Sequence, residues 1–181
     1  WNMLLRAEKF ASDNVRVLLQ IGQYYEDIDN IERAIIYFKR ATQIDPENFS
    51  AWLQLGHVLE KKEDYYGALV VYSKLTEIKP DNPIGYYRQA NVKASTAEIS
   101  DAIKLYNICL DKDPAFVEAS IELASLLWVS KKPQDALRYL KEALKYNKKN
   151  LDVLEMIGDI YESMGEMELA KQYWPENRMD E

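Results

Sequence analysis

The sequence predicts an all-α fold made of repeated helix pairs, and the stretch from Phe49 to Asn82 shows why. Apolar and small residues recur there every three or four positions in two stripes, a spacing that places side chains on one face of an α-helix. The first stripe is Trp52, Leu55, Gly56 and Leu59, and the second is Ala68, Tyr72 and Leu75. Residues 61–64 are polar and separate the stripes. Pro80 ends the second stripe because proline lacks the backbone donor that a continuing helix needs.

The same pattern returns in five registers at intervals of 34 residues, without an insertion. With Phe49 taken as position 1, position 8 is always small: Gly22, Gly56, Ala90, Ala124 and Gly158. Position 20 is always alanine: Ala34, Ala68, Ala102, Ala136 and Ala170. From Val15 to Trp174 the chain therefore resembles the tetratricopeptide repeat family, whose unit is a 34-residue helix-turn-helix. The resemblance implies a right-handed α-solenoid of antiparallel helix pairs, in which the first helices line a concave groove.

Taken in order, the period divides most of the chain into repeats. Residues 15–48, 49–82, 83–116 and 117–150 form four complete repeats, and residues 151–174 form an incomplete fifth repeat that Pro175 interrupts. Residues 1–14 carry Leu4 and Ala7 at positions 24 and 27, which predicts the second helix of a preceding, truncated repeat. Residues 175–181 are predicted to be a polar tail. In the third repeat, Ser100 or Asp101 is expected to cap the second helix.

Composition bounds the class of protein. The 181 residues are 48% hydrophobic and 29% charged, which is typical of a globular chain with a continuous core. The single cysteine, Cys109, excludes an intramolecular disulfide and favours an intracellular location, in the cytoplasm or nucleus. No apolar run approaches the roughly 18 residues that would cross a bilayer, so no membrane insertion is expected.

The candidate binding residues follow from the resemblance, because the family lines its groove mainly with positions 2, 5, 9 and 12 of each first helix. Position 5 is apolar in four repeats, as Leu19, Leu53, Tyr87 and Ile121, and Trp128 adds an aromatic residue at position 12. Gln23, His57, Asn91 and Arg88 supply polar groups beside this row. Aromatic side chains on rigid helices are favoured anchors for a partner. The alternative is that they pack against the adjacent first helix.

Charge varies along the chain. Residues 151–181 have a net charge of -7, and the fifth repeat places Asp152, Glu155 and Asp159 on one helical face together with Glu162. This face is predicted to be either an acidic patch for a basic partner segment or a solvated end of the array. Residues 117–150 have a net charge of +3, but the whole chain carries -7. Nucleic-acid binding is therefore not expected, since the chain's own field opposes phosphate.

No motif for catalysis, metal binding or a cofactor is present. His57 is the sole histidine, it has no cysteine, serine or second histidine at catalytic or ligand spacing, and the six glycines are scattered singly. A chaperone-adaptor clamp for a terminal carboxylate, which some family members carry, is also disfavoured. Of its five positions across the first three repeats, only Arg88 matches; the others are Leu19, Gln23, Gln54 and Ile84.

The sequence thus predicts a non-catalytic scaffold that binds a peptide or helix of a partner protein in its groove. Two alternatives stay open. In the first alternative, the chain is the non-catalytic arm of a larger enzyme, as in sugar transferases that carry such arrays. In the second, the chain self-associates as a homodimer through its incomplete terminal repeat. If the chain self-associates in this way, the incomplete repeat is expected to leave the apolar residues Leu154, Ile157 and Trp174 partly uncovered.

Overall fold

The computed structural model describes residues 14–175, and within that range it contains ten α-helices and no β-strand. The helices are α1 Val15–Asp27, α2 Ile31–Ile44, α3 Phe49–Lys61, α4 Tyr65–Ile78, α5 Pro83–Ser95, α6 Ile99–Lys112, α7 Val117–Val129, α8 Pro133–Tyr146, α9 Leu151–Ser163 and α10 Met167–Tyr173. This is the all-α helical-repeat fold that the sequence predicts. The helix expected in residues 1–14 and nearly all of the tail expected in residues 175–181 lie outside the described residues.

Odd-numbered helices begin 34 residues apart, and asparagine fixes most of these starts. The side chains of Asn14, Asn48, Asn82 and Asn150 each accept a hydrogen bond from a backbone N–H in the first turn that follows. The helix α7 begins after Phe116 without such a bond. Just before it, the backbone N–H of Phe116 donates to the carbonyl of Asp113 at 3.1 Å.

The expected cap on α6 is wrong. This helix begins at Ile99, and neither Ser100 nor Asp101 precedes it; Glu98 stands at the cap position without a side-chain cap bond. Asp101 lies inside the first turn, where its carboxylate accepts from Lys104 Nζ at 2.8 Å. The helix starts two residues earlier than a cap at Ser100 requires, and three earlier than a cap at Asp101 requires.

Every hairpin turns through a residue in the left-handed backbone region. These residues all occupy position 15: Asp29 (φ 58°), Glu63 (61°), Ala97 (61°), Lys131 (59°) and Gly165 (79°). Only the last is glycine, the residue that adopts this conformation without strain. In the other four repeats, a non-glycine residue adopts this conformation, which costs conformational free energy.

The described chain forms two compact units. The N-terminal unit holds α1–α5 and ends at Ala97, and the C-terminal unit holds α6–α10 and starts at Glu98. Within each unit, consecutive helices pack together, and the first helices also meet: α1 contacts α3, and α7 contacts α9. The fully buried large side chains include Leu18, Phe38, Tyr72 and Leu75 in the first unit and Leu123, Leu140 and Ile157 in the second.

A small residue at position 8 allows the two helices of a hairpin to approach. A Cβ added to Gly22 would come within 2.5 Å of the Phe38 ring, and one added to Gly56 would overlap the Tyr72 ring. Gly158 meets the indole of Trp174 in the same way. The ring at position 24 therefore occupies the space that the missing side chain leaves.

The fifth repeat is better covered than the sequence suggests. Ile157 is fully buried, so the expectation that it is partly uncovered is wrong. The short helix α10 packs on α9, and Trp174 lies over Gly158 and donates its indole N–H to Asp159 Oδ1 at 3.0 Å. Leu154 and Trp174 are half-buried.

Candidate partner-binding surfaces

The N-terminal unit presents Leu19, Leu53 and Tyr87 at the same place on α1, α3 and α5. All three are half-buried. Position 5 lies at the edge of the buried face of each first helix, so one side of each residue packs and the other remains accessible. We call this surface, together with Gln23, Gln54, His57 and Arg88, the first-helix surface.

A pocket of about 270 Å³ lies on the first-helix surface. It is lined by Gln23, Glu26, Leu53, Gln54, His57 and Arg88. Four of these are candidate binding residues from the sequence: Gln23, Leu53, His57 and Arg88. Three helices therefore bring one apolar and several polar groups together within a single unit.

Glu26 forms the polar base of this pocket, and the sequence pattern does not single it out as a candidate. Its side chain is only 4% exposed, and its carboxylate accepts from Lys61 Nζ at 2.8 Å and contacts His57 Nε2 at 3.1 Å. Gln23 Nε2 donates to the other oxygen at 3.3 Å. The hydrogen bond to Glu26 raises the pKa of Lys61, which outweighs the lowering by desolvation. A buried carboxylate with these donors ties α1 to α3.

The sequence does contain a signal for this role of Glu26. Glu60 occupies the same position 12 in the next repeat, where the hydroxyl of Tyr72 donates to it. In the first repeat, Phe38 stands where Tyr72 stands in the second, and it has no hydroxyl. The carboxylate of Glu26 accepts instead from Lys61 of the following repeat and from Gln23 of its own repeat.

Arg88 has an unused donor at the pocket. Its Nε is buried, and none of residues 14–175 accepts a hydrogen bond from it. The guanidinium carbon lies 5.9 Å from the centre of the Tyr87 ring, so an aromatic face lies beside the charge. A buried donor without an acceptor is unfavourable.

Asn91 is the remaining polar candidate of this unit, and it lies apart from the pocket lining. It is half-buried on α5, and its backbone carbonyl accepts from the Ser95 hydroxyl at 3.0 Å. Its position one turn beyond Tyr87 places it on the same helix face.

The C-terminal unit carries the rest of the apolar row. Ile121 and Trp128 are both half-buried on α7. The indole N–H of Trp128 donates to Ser163 Oγ at 3.2 Å, which links α7 to the end of α9. Trp128 is thus partly engaged within the array and partly accessible.

Of the acidic residues predicted on α9, Asp152 and Glu155 are exposed. Asp159 is half-buried and accepts the Trp174 indole N–H, so its carboxylate belongs to the hairpin. Glu162, one turn further, is exposed. The accessible acidic face is therefore smaller than the spacing suggests.

Within residues 14–175, no group of three or more His, Cys, Asp and Glu side chains is placed to hold a metal ion. The same range contains no helix with the length and apolar character to cross a bilayer. Cys109 is fully buried, and burial raises the pKa of its thiol to about 12, with Asp113 and Glu118 contributing through their charge.

The chain is similar to known proteins along most of its length. A stretch of 87 residues is 39% identical to the probable UDP-N-acetylglucosamine–peptide N-acetylglucosaminyltransferase SPINDLY of Hordeum vulgare. That match covers 48% of this chain and 9% of the relative, so the chain spans a small part of that protein.

Two solved structures show the same fold. The pilF protein of Pseudomonas aeruginosa superposes with a TM-score of 0.74 at 22% identity, covering 88% of this chain and 72% of its own. YrrB, a TPR protein with an unusual peptide-binding site, superposes with a TM-score of 0.66 at 16% identity, covering 94% and 88%.

Family models described as tetratricopeptide repeat match residues 15–48 and 49–82, and also 87–145 and 121–173. These ranges together cover nearly all of the described residues. The protein belongs to the tetratricopeptide repeat family.

Proposed function

We propose that the N-terminal unit binds an extended or helical segment of a partner protein on its first-helix surface. Tetratricopeptide repeats are protein-interaction scaffolds, and the observation that carries the finer proposal is the pocket at Arg88. It joins an apolar wall, Leu53, to the half-buried arginine, whose Nε is buried and without an acceptor. YrrB, which has the same fold, is a TPR protein with a peptide-binding site, and this adds support.

The chemistry of the segment follows from the lining. Apolar side chains of the partner cover Leu19, Leu53 and Tyr87, since burying the accessible part of these residues is favourable by roughly 25 cal/mol per Å² of apolar area. An oxygen of the partner, from a backbone carbonyl or a carboxylate, accepts from Arg88. Glu26 does not repel that oxygen strongly because Lys61 and His57 face its own carboxylate.

The C-terminal unit contributes its own contacts in this proposal. Ile121 and the accessible side of Trp128 receive apolar side chains. Exposed Asp152 and Glu155 receive basic ones. These exposed charges act mainly on the rate of association and on specificity, and their effect falls with added salt.

The proposal is tested with a peptide of defined sequence. A peptide library displayed on phage is selected against the intact chain, and the dissociation constant of a selected peptide is measured by titration calorimetry. Arg88→Ala is expected to weaken binding about 10- to 150-fold, the range for a hydrogen bond to a charged group. Leu53→Ser and Tyr87→Ala are expected to weaken it as well.

Two matched variants serve as controls. Arg40→Ala removes an exposed arginine on α2, and Val70→Ala trims an exposed apolar residue on α4. Both are expected to leave affinity within about twofold, since they lie outside the first-helix surface. A selected peptide that binds Arg88→Ala and Leu53→Ser as tightly as the original chain, while those variants remain folded, contradicts the proposal.

A second candidate function is that the chain is the repeat arm of a larger enzyme. The 39% identity to a part of SPINDLY favours it. In that case the first-helix surface selects the protein substrates of a catalytic domain elsewhere in the polypeptide. The coding sequence on both sides of residues 1–181 decides this, because a transferase domain in the same reading frame supports the arm and its absence contradicts it.

Self-association through the fifth repeat is the third candidate, and it has a narrower basis. Ile157 is covered, and the apolar residues that stay exposed near that end include Leu151 and Met167. Light scattering of the chain with and without residues 151–181 tests it. A monomer in both samples contradicts self-association, and a dimer that is lost on truncation supports it.

A further inference from the structure

The C-terminal unit contains a pocket of about 320 Å³ between α6, α8 and the start of α7. Its lining includes Asn107, Leu110, Pro114, Ser120, Arg138 and Tyr139. This volume is at the lower end of the roughly 300–1,000 Å³ typical of ligand pockets, which suits one large side chain. The pocket is separate from the first-helix surface, and a ligand here is independent of the function proposed for that surface.

The pocket lies where two other repeats place an aromatic ring of their own. Position 4 is Trp52 in the second repeat and Tyr86 in the third, but it is Ser120 in the fourth. Trp52 is half-buried and packs against the core of the N-terminal unit. Ser120 is the fourth residue of α7, as Trp52 is of α3, so both side chains leave the backbone in the same direction.

The two rings also make the same hydrogen bond. The indole N–H of Trp52 donates to the carbonyl of Pro46 at 2.8 Å, and the hydroxyl of Tyr86 donates to the carbonyl of Pro80 at 3.2 Å. Both acceptors are the proline six residues before the ring. The residue six before Ser120 is Pro114, and it lines the pocket.

The turn at Pro114 has the same backbone arrangement as the other two. Its hydrogen bond from Phe116 N to Asp113 O measures 3.1 Å, against 3.1 Å for Asn48 to Asp45 and 3.0 Å for Asn82 to Lys79. The Ser120 hydroxyl donates instead to Phe116 O at 3.4 Å. Among the described residues, none donates to the Pro114 carbonyl. The fourth repeat thus has the proline carbonyl that accepts this hydrogen bond, but it has no aromatic side chain at position 4 to donate to it.

We propose that this pocket binds the indole side chain of a tryptophan from a partner protein, with the indole N–H donating to the Pro114 carbonyl. The incoming ring takes the place that Trp52 takes in the second repeat. Leu110 and the Tyr139 ring provide its apolar and aromatic contacts. The Tyr139 ring is held in position because its hydroxyl donates to Asn107 Oδ1 at 2.6 Å and the Arg138 guanidinium lies 4.5 Å from its centre.

The probe is N-acetyl-tryptophanamide, titrated into the isotope-labelled chain and followed by ¹H–¹⁵N NMR. Shifts are expected at the amides of Ala115, Phe116 and Ser120, with a dissociation constant on the order of millimolar for a single side chain. The analogue methylated on the indole nitrogen is expected to bind roughly 2- to 12-fold more weakly, because it lacks the donated hydrogen bond. N-acetyl-phenylalaninamide, an aromatic ring without a donor, is expected to show the same loss.

Reciprocal variants complete the test. Ser120→Trp fills the pocket from within and is expected to abolish the shifts, whereas Lys104→Ala, at an exposed residue of α6 outside the lining, keeps them. Trp52→Ser is expected to open a matching pocket in the N-terminal unit, with new shifts at Glu47 and Asn48. If Ser120→Trp does not fold, the site of the shifts in the unaltered chain and the Trp52→Ser variant decide the matter. Shifts elsewhere, no shifts up to the solubility limit, or equal binding of the methylated analogue overturns the proposal.

Discussion

The ring of Tyr72 lies directly over the backbone of Gly56, and its hydroxyl donates to Glu60 one turn further along the same helix as that glycine. One side chain therefore fills the gap between α3 and α4 and also satisfies a carboxylate. The fourth repeat achieves the packing with a different pair, Ala124 and Leu140, at the same two positions. These two solutions to one packing problem allow a direct test.

Gly56→Ala is expected to destabilise the chain by about 1–3 kcal/mol, the usual cost of overpacking, because the added methyl group overlaps the Tyr72 ring. The double variant Gly56→Ala with Tyr72→Leu copies the pair of the fourth repeat, and it is expected to regain part of the loss. Urea unfolding followed by circular dichroism measures both. Equal stability of Gly56→Ala and the original chain would show that the close approach of the two helices is unnecessary.

The repeat unit and its core were predictable from sequence because they depend on a periodic pattern. Small residues at positions 8 and 20 and large residues at position 24 recur at a fixed spacing, and the structure packs them as that spacing requires. Features that differ from one repeat to the next were harder to predict. Glu26 accepts from Lys61 of the following repeat at a place where Phe38 offers no hydroxyl, and this difference lies in one residue of one repeat.

The grouping of the candidate binding residues was predictable in part, although their binding role stays a prediction. Gln23, Leu53, His57 and Arg88 do come together at one pocket, since they occupy equivalent or adjacent helix positions. The acidic face on α9 was overestimated because the spacing of Asp159 gave no indication of its bond with Trp174, a residue 15 positions away. Likewise, Ser120 signals a pocket only when it is compared with Trp52 and Tyr86.

Because position 15 has a positive φ in every repeat, introducing glycine there and removing it are expected to change stability in opposite directions. Lys131→Gly is expected to stabilise the chain by about 0.5–1 kcal/mol, because glycine removes the strain of a positive φ but adds entropy to the unfolded chain. Gly165→Ala is expected to destabilise it by about 1 kcal/mol. Thermal unfolding of both variants provides the measurement. The space around a Cβ at residue 165 is open, so any loss there comes from the backbone alone.

Cys109 predicts a dependence of stability on alkaline pH. Its thiol pKa is raised from 9.0 to about 12 in the folded chain, chiefly by burial. The unfolded chain therefore loses this proton at lower pH than the folded chain. The contribution of the protonated Cys109 thiol to stability is complete below pH 9 and is lost between about pH 9 and 12. Over that range the equilibrium constant for unfolding rises by up to about tenfold per pH unit.

The matched variant is Cys109→Ala, since alanine occupies position 27 as Ala41 and Ala143 in other repeats. It is expected to show a shallower decline in stability above pH 9 than the original chain when urea unfolding is repeated across this range. Parallel declines in the two proteins would show that the thiol does not titrate as burial requires. Alkylation by iodoacetamide gives a second measure, because the buried thiol reacts only as fast as the unit opens.

The most direct test of partner binding on the first helices is photo-crosslinking from a single position with a peptide selected against the chain. Benzoylphenylalanine is placed at Leu53, on the first-helix surface, or at Val70, an exposed position on α4 of the same unit. We expect a crosslink from residue 53 that Arg88→Ala diminishes, and none from residue 70. A crosslink from residue 70, or an equal yield from both positions, would contradict the claim that partners bind on the first helices of the N-terminal unit.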